Sequence, residues 1–261
     1  MANLTLATGA ADPLPLVNRG LDGQTSSDRL GTERRLAALY LDLKSELVRR
    51  GFAREIDDQH DAPSALLTES RFLREAAWAI VSGGMSERTV RSHFGELSEA
   101  FLNWVSASDI VINEARCRCL ALRAWNHPGK IDAVIGVCRF VADRGFLAVA
   151  HELSRDPVAT LMNLDYLGPA TARHLAKNLG CPVAKPDRHL RRISAALGFD
   201  SPQALCDAIA RLLDEPVGVV DLVFWRYATT RKAYVSEIRD WTTLAPGIYE
   251  RCSSRSWKSR A

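Results

Sequence analysis

The residues able to do chemistry crowd into one short run. Between Arg173 and Arg192 stand six cations, Arg173, Lys177, Lys185, Arg188, Arg191 and Arg192, and a single acid, Asp187. That is a net +5 in a chain whose total charge is only +3. Cations at this density steer and hold a polyanion, and backbone N–H groups at a glycine turn beside a helix start suit a phosphate. A lone carboxylate facing a phosphate backbone opposes binding. It therefore needs a reason to be there, either chemistry or a plain role as a helix N-cap.

The elements that must position these groups run from Leu161 to Ile193, LMNLDYLGPATARHLAKNLGCPVAKPDRHLRRI. Leu161, Leu164 and Leu167 recur at the spacing of one helical face. Gly168 is expected to end that helix in backbone angles that other residues avoid. Pro169 suits the first position of the next helix, whose buried face is Ala172, Leu175, Ala176 and Leu179 and whose stop is Gly180. Pro186 and Asp187 open a third helix, with Leu190 and Ile193 inward. The stretch thus reads as helix, tight turn, helix, short loop, helix.

In this order the run resembles the helix–hairpin–helix and catalytic-loop signature of the endonuclease III / 3-methyladenine DNA glycosylase superfamily (HhH-GPD). The family hairpin, roughly Leu-Pro-Gly-Val-Gly-x-Lys-Thr-Ala, is matched in its second half by Leu167-Gly168-Pro169-Ala170-Thr171-Ala172. Its catalytic aspartate lies in Val-Asp-x-His-hydrophobic-x-Arg-hydrophobic, here Pro186-Asp187-Arg188-His189-Leu190-Arg191-Arg192-Ile193. Seventeen residues separate Ala170 from Asp187, close to the family's usual separation.

The resemblance implies an all-α fold of two helical lobes with a cleft between them. It implies a DNA N-glycosylase that extrudes a damaged or modified base and hydrolyses its glycosidic bond. Asp187 would be the catalytic group. Gly168, Thr171, Ala172, Arg173, Lys177, Lys185 and Arg188 would grip DNA. His189 is expected to pack or hydrogen-bond beneath the loop. Gly84 and Met85, in Ser82-Gly83-Gly84-Met85, fall where members carry a loop that enters the base stack, against a plain glycine-rich helix stop. Asp221 and Trp225 fall in the helix that backs the catalytic loop, as candidates for orienting Asp187 or lining a pocket, against simple packing.

Two departures shape the expected activity. Tyr166 stands where the first hairpin glycine usually sits, which alters the turn or its phosphate contact and adds Tyr166 to the wedge or pocket candidates. Ala170 stands where bifunctional members carry the lysine that forms a Schiff base, so the lyase step should be absent and water the nucleophile. The alternatives are a non-catalytic DNA-binding module and an abasic-site lyase using Lys130, Lys177 or Lys185. Family substrates include alkylated purines, oxidised guanine, mispaired adenine and damaged pyrimidines, and no side chain here reads a particular base edge. The departures give weight to a specialised substrate, such as hypermodified pyrimidines in phage DNA. The role is then base-excision repair or phage defence.

Composition sets the remaining bounds. At 261 residues, 47% hydrophobic and 25% charged, the chain reads as a soluble globular protein. No apolar run approaches the roughly 20 residues of a membrane helix, and no secretory signal is visible. The expected setting is the cytoplasm with the nucleoid, as a monomer on double-stranded DNA. Cys117, Cys119, Cys138, Cys181, Cys206 and Cys252 are scattered. Only two of them follow Asp187, so the compact four-cysteine run that holds an iron–sulfur cluster in many members is missing. No metal and no cofactor are expected. His60 among Asp57, Asp58 and Asp61 reads as a solvated loop.

Along the chain, residues 1–31 read as an arm or tail. Thr32 should cap a helix to about Arg50, ended by Gly51. Thr68 and Ser86 start further helices, followed by helices at about 96–105, 108–125, 130–143 and 146–153. Trp78, Trp104 and Trp125 sit in apolar stripes and read as core. Ser201-Pro202 and Glu215-Pro216 open the last two. The C-terminal RCSSRSWKSRA is basic, and Trp257 could stack or anchor. By resemblance, one domain spans 66–181, and 32–65 with 182–261 forms a second.

Overall fold

Helix-start residues at intervals along the chain divide it into short helices, and nothing in it alternates at the period of a strand. A computed structural model describes residues 26–63 and 65–243, in helices, turns, bends and short irregular loops with no strand among them. Of the arm expected at 1–31, residues from Ser26 on are already in α1, while 1–25 and the basic tail with Cys252 and Trp257 lie outside the described residues. The helices are α1 (Ser26–Leu47), α2 (Ala53–Asp61), α3 (Glu69–Ser82), α4 (Glu87–Ala100), α5 (Ala107–Ile112), α6 (Glu114–Ala124) and α7 (Pro128–Arg144). They continue as α8 (Phe146–Arg155), α9 (Pro157–Met162), α10 (Pro169–Asn178), α11 (Arg188–Ala196), α12 (Pro202–Leu213), α13 (Val217–Thr230) and α14 (Tyr234–Thr243).

Local capping sets many of these boundaries. Thr68, Ser86, Ser106, Asp156, Asp187 and Ser201 each accept a backbone N–H from the first turn of the helix that follows. Pro128, Pro157, Pro169 and Pro202 occupy first-turn positions, where a missing N–H leaves no bond unmade. Helix α1 starts at Ser26, earlier than Thr32, and breaks at Gly51, whose φ of 91° is left-handed. The acidic segment around His60 is the helix α2, not a loop. His60 is exposed there, because the segment has only Ile56 to bury.

The described residues form two compact units. The first covers Asp57–Lys185 and is built around α3, which buries Phe72, Leu73, Ala76, Ala77, Ala79, Ile80 and Val81. Its alanines let α4, α7 and α10 pack against it closely. Trp104 and Trp125 are buried here, and Trp78 packs edge-on against Phe94. Arg71 ties the C-terminal end of α10 to the chain before α3, donating to the carbonyls of Ala62 (3.2 Å), Ala65 (2.8 Å) and Asn178 (3.0 Å). Gly180 closes α10 at φ 94°, and a Cβ there would lie 2.5 Å from the Ala62 carbonyl oxygen.

The separate helix expected at about 96–105 is instead the end of α4, which runs on to Ala100 and stops there. Leu102, Asn103 and Trp104 form a left-handed turn at φ 53°, 51° and 62°. Such a turn costs roughly 1–2 kcal/mol per residue. Tertiary contacts hold it in place. The Trp104 indole stacks on Phe101 at 5.0 Å and donates to Ser98 Oγ at 2.9 Å.

The described part of the second unit is 26–56 with 186–243. Here α1 packs on α12, α13 and α14, and α13 also packs on α11 and α12. Leu39, Tyr40, Leu43 and Leu47 of α1 are buried, with Tyr40 against Phe224 at 6.1 Å. Lys44 forms an ion pair with Glu215, which also accepts from the Tyr40 hydroxyl at 3.2 Å.

Candidate functional site

The residues singled out by sequence fall in both units. In the first unit, the segment before α10 differs from the expected hairpin. Helix α9 already ends at Met162, so Leu164 and Leu167 lie in a turn rather than on a helical face. Gly168 is not the left-handed residue: its φ is −66° and it stands as the N-cap of α10. Tyr166 takes the left-handed position, at φ 63°, and is half exposed. The turn thus places glycine-type geometry where the resemblance puts a glycine, although the residue is tyrosine.

Helix α10 buries Ala172, Leu175 and Ala176 as expected, and it also buries Lys177, which is only 5% exposed. The charge of Lys177 had suggested a surface grip, but the apolar period of the helix carries its side chain inward. Thr171 and Arg173 are partly exposed and Ala170 is exposed. At the C-terminal end of this unit the Lys185 ammonium lies 3.5 Å from His174 Nδ1. Burial, together with Lys185 and Lys177, drives His174 well below the ordinary histidine range, so its imidazole is neutral and Nδ1 can accept from Lys185.

The loop after α3 lies in the same unit. Gly84 has φ 73°, a conformation that favours glycine, and Met85 is exposed. Lys130 fixes this loop from beneath. Its buried ammonium donates to the carbonyls of Val81 at 2.8 Å and Gly83 at 2.6 Å, and burial lowers its pKa. Sequence reasoning considered Lys130 only as an amine nucleophile. It acts here as a cap on the C-terminal carbonyls of α3, where a cation also complements the helix dipole.

In the second unit, Asp187 is the N-cap of α11. Its Oδ1 accepts the backbone N–H of His189 at 2.8 Å and of Leu190 at 2.9 Å. Among the described residues Oδ2 accepts no hydrogen bond. Both are consequences of sequence: proline at 186 cannot extend the helix backward, and aspartate is a preferred cap. Arg188, Arg191 and Arg192 are exposed around this turn. His189 accepts at Nε2 from Arg188 Nε at 3.3 Å and lies 3.1 Å from the Tyr234 hydroxyl through Nδ1. Burial lowers its pKa, so it is neutral beneath the loop. Tyr234 was not singled out by sequence, because nothing local links α14 to the start of α11.

Asp221 is buried on α13, which packs on α11. Among the described residues, the hydrogen bonds to the Asp187 carboxylate come from backbone N–H groups. Trp225 lies under the Arg226 guanidinium at 4.7 Å, and Arg226 pairs with Glu55 at 2.7 Å. Among the described residues, no group of three or more His, Cys, Asp or Glu side chains could hold a metal ion. Cys117, Cys138, Cys181 and Cys206 are buried free thiols, and burial pushes Cys138 up to about 12. No helix is long and apolar enough to cross a membrane.

No family model matches the chain, and no curated protein matches it either.

Proposed function

We propose that the chain is a monofunctional DNA N-glycosylase of the helix–hairpin–helix type. In this reading its two helical units are the lobes of that fold, and a damaged or modified base is released by water to leave an abasic site. The observation that carries it is the asymmetry of Asp187. One carboxylate oxygen is fixed by two backbone N–H groups, while the other accepts no hydrogen bond among the described residues. A group held in this way is pre-oriented without being used up. Departure of a base builds positive charge on the deoxyribose, which a fixed carboxylate stabilises and whose attacking water it can orient. Arg173, Lys185 and Arg188 supply cations for flanking phosphates; Lys177, being buried, is left out of that grip.

A second reading has an observation in its favour. The same two hydrogen bonds make Asp187 a competent helix cap, as it would be in a non-catalytic DNA-binding module. Base release separates the two. Duplexes carrying alkylated, oxidised, mispaired or phage-type hypermodified bases are incubated with the protein, and liberated bases are identified by mass spectrometry. Release that is lost in Asp187→Asn supports the glycosylase. Tight DNA binding with no base liberated from any duplex supports the binding module.

A further inference from the structure

Tyr166 combines three properties that rarely meet in one residue. It is a bulky side chain in the left-handed region, at φ 63°. Half of its surface is open to solvent. Its ring is also held in place: the ring centroid lies 6.2 Å from that of the exposed His127, nearly perpendicular to it at 86°. The phenol lies over Gly129, in space that a Cβ at that position would fill. Strain of this kind persists only where the surroundings over-determine it, and it gathers at binding sites. A half-exposed aromatic ring seated on a glycine and flanked by imidazole presents an apolar, π-bearing surface of fixed orientation.

The neighbourhood adds a direction. Lys130, next to the seat at Gly129, holds the carbonyls of Val81 and Gly83. The first turn of α7 thus carries both the glycine under the Tyr166 ring and the lysine that anchors the loop with Gly84 and exposed Met85. In an intact duplex both faces of each base pair are covered by neighbouring pairs. A protein ring finds a free base face only where the stack is broken.

We infer that Tyr166, with His127 beside it, is a stacking station for a nucleobase left unpaired in duplex DNA. This rests on the glycosylase reading only in its choice of ligand, DNA with an interrupted stack. The left-handed turn aims the ring, Gly129 admits it, and His127 limits its rotation. Base stacking on such a ring tolerates any sequence, because every base has a π-face.

The test uses the full chain and a duplex in which 2-aminopurine stands opposite a tetrahydrofuran abasic analogue, compared with a fully paired duplex. The wild type should prefer the abasic duplex and quench 2-aminopurine fluorescence. Tyr166→Phe keeps the ring and should retain both properties. Tyr166→Asn keeps a residue that tolerates the left-handed turn but removes the stacking face. It should lose the quenching and lower affinity for the abasic duplex roughly tenfold or more. Its unfolding temperature and its affinity for the paired duplex should hold.

The inference is overturned by an Asn variant that quenches and binds as the wild type does. It is equally overturned by one that loses stability and all DNA binding in step, or by a wild type with no preference for the abasic duplex. Base release plays no part in these readouts. Failure here leaves the assignment of Asp187 standing, and quenching without base release from any substrate sinks that assignment alone.

Discussion

At the scale of single residues, the helix-cap role of Asp187 and the catalytic role proposed for it can be pulled apart. Asparagine is as good an N-cap as aspartate, whereas alanine at a cap costs about 1 kcal/mol. Asp187→Asn should therefore leave the unfolding midpoint near that of the wild type, and Asp187→Ala should lower it. Base release should fall about a hundred- to thousand-fold in both, the usual loss when an electrostatic stabiliser of a transition state is removed. Parallel denaturation curves and single-turnover release rates check this, and an Asn variant releasing bases at the wild-type rate would end the catalytic reading. His174 supplies a second prediction at this scale. Its pKa is depressed in the folded protein, so the unfolded chain takes up a proton first as the pH drops below the ordinary value of 6.5. Stability should be full above that value and should decline toward the lower folded pKa. The decline should be at most about 1.4 kcal/mol per pH unit for this one proton. His189, shifted the same way by burial, adds to it. Denaturant melts between pH 7.5 and 5 should show a shallower decline for His174→Gln, and an unchanged slope would mean that His174 takes up its proton as readily folded as unfolded.

At the scale of elements, Lys130 links α7 to the end of α3. Lys130→Met keeps most of the stem but leaves two carbonyls, those of Val81 and Gly83, without their donor. An unmet buried acceptor costs roughly 1–3 kcal/mol. The variant should melt lower, and hydrogen exchange should quicken at the amides of Gly84 and Met85 while α10 keeps its protection. Uniform quickening across the unit would contradict a local cap. The same elements show what a sequence can and cannot reveal. Thr68, Ser86, Ser201 and the prolines at 169 and 202 are legible, because capping involves only a residue and the next turn. Asp187 is legible as a cap for the same reason, and as a candidate for chemistry from its charge setting. The turn at 102–104 is not, since Leu and Trp, which flank Asn103, disfavour positive φ, and the turn is held by Phe101 and Ser98. Lys177 misleads because charge argues for the surface while the period of α10 argues for the interior, and in the structure the period prevails. Tyr166 hides its geometry behind its identity, and Tyr234 meets His189 from 45 residues further along the chain.

At the scale of the whole molecule, a net charge of only +3 means that the proposed DNA affinity would have to come from where the charges are rather than how many there are. Arg173→Ala and Arg188→Ala, one in each unit, should each weaken binding to all sequences alike and reduce the slope of log affinity against log salt by about 0.9 per lost phosphate contact. An unchanged salt slope in either variant removes that side chain from the grip. On the glycosylase reading, the product depends on whether an amine can reach the sugar. A lyase needs an unprotonated amine that can reach the sugar. Residue 170, which carries that amine in bifunctional members of the resembled family, is an exposed alanine. Lys130 is buried and donates to two carbonyls, and Lys177 is buried in α10. Lys185 stands against the neutral imidazole of His174. On the glycosylase reading water is the nucleophile for the sugar, and the strand should remain whole after the base departs, breaking only with alkali or heat. Borohydride added during turnover on abasic DNA should trap no covalent adduct, because no imine forms. A trapped adduct that disappears in Lys185→Arg would overturn this account and assign the chemistry to an amine at the end of the first unit.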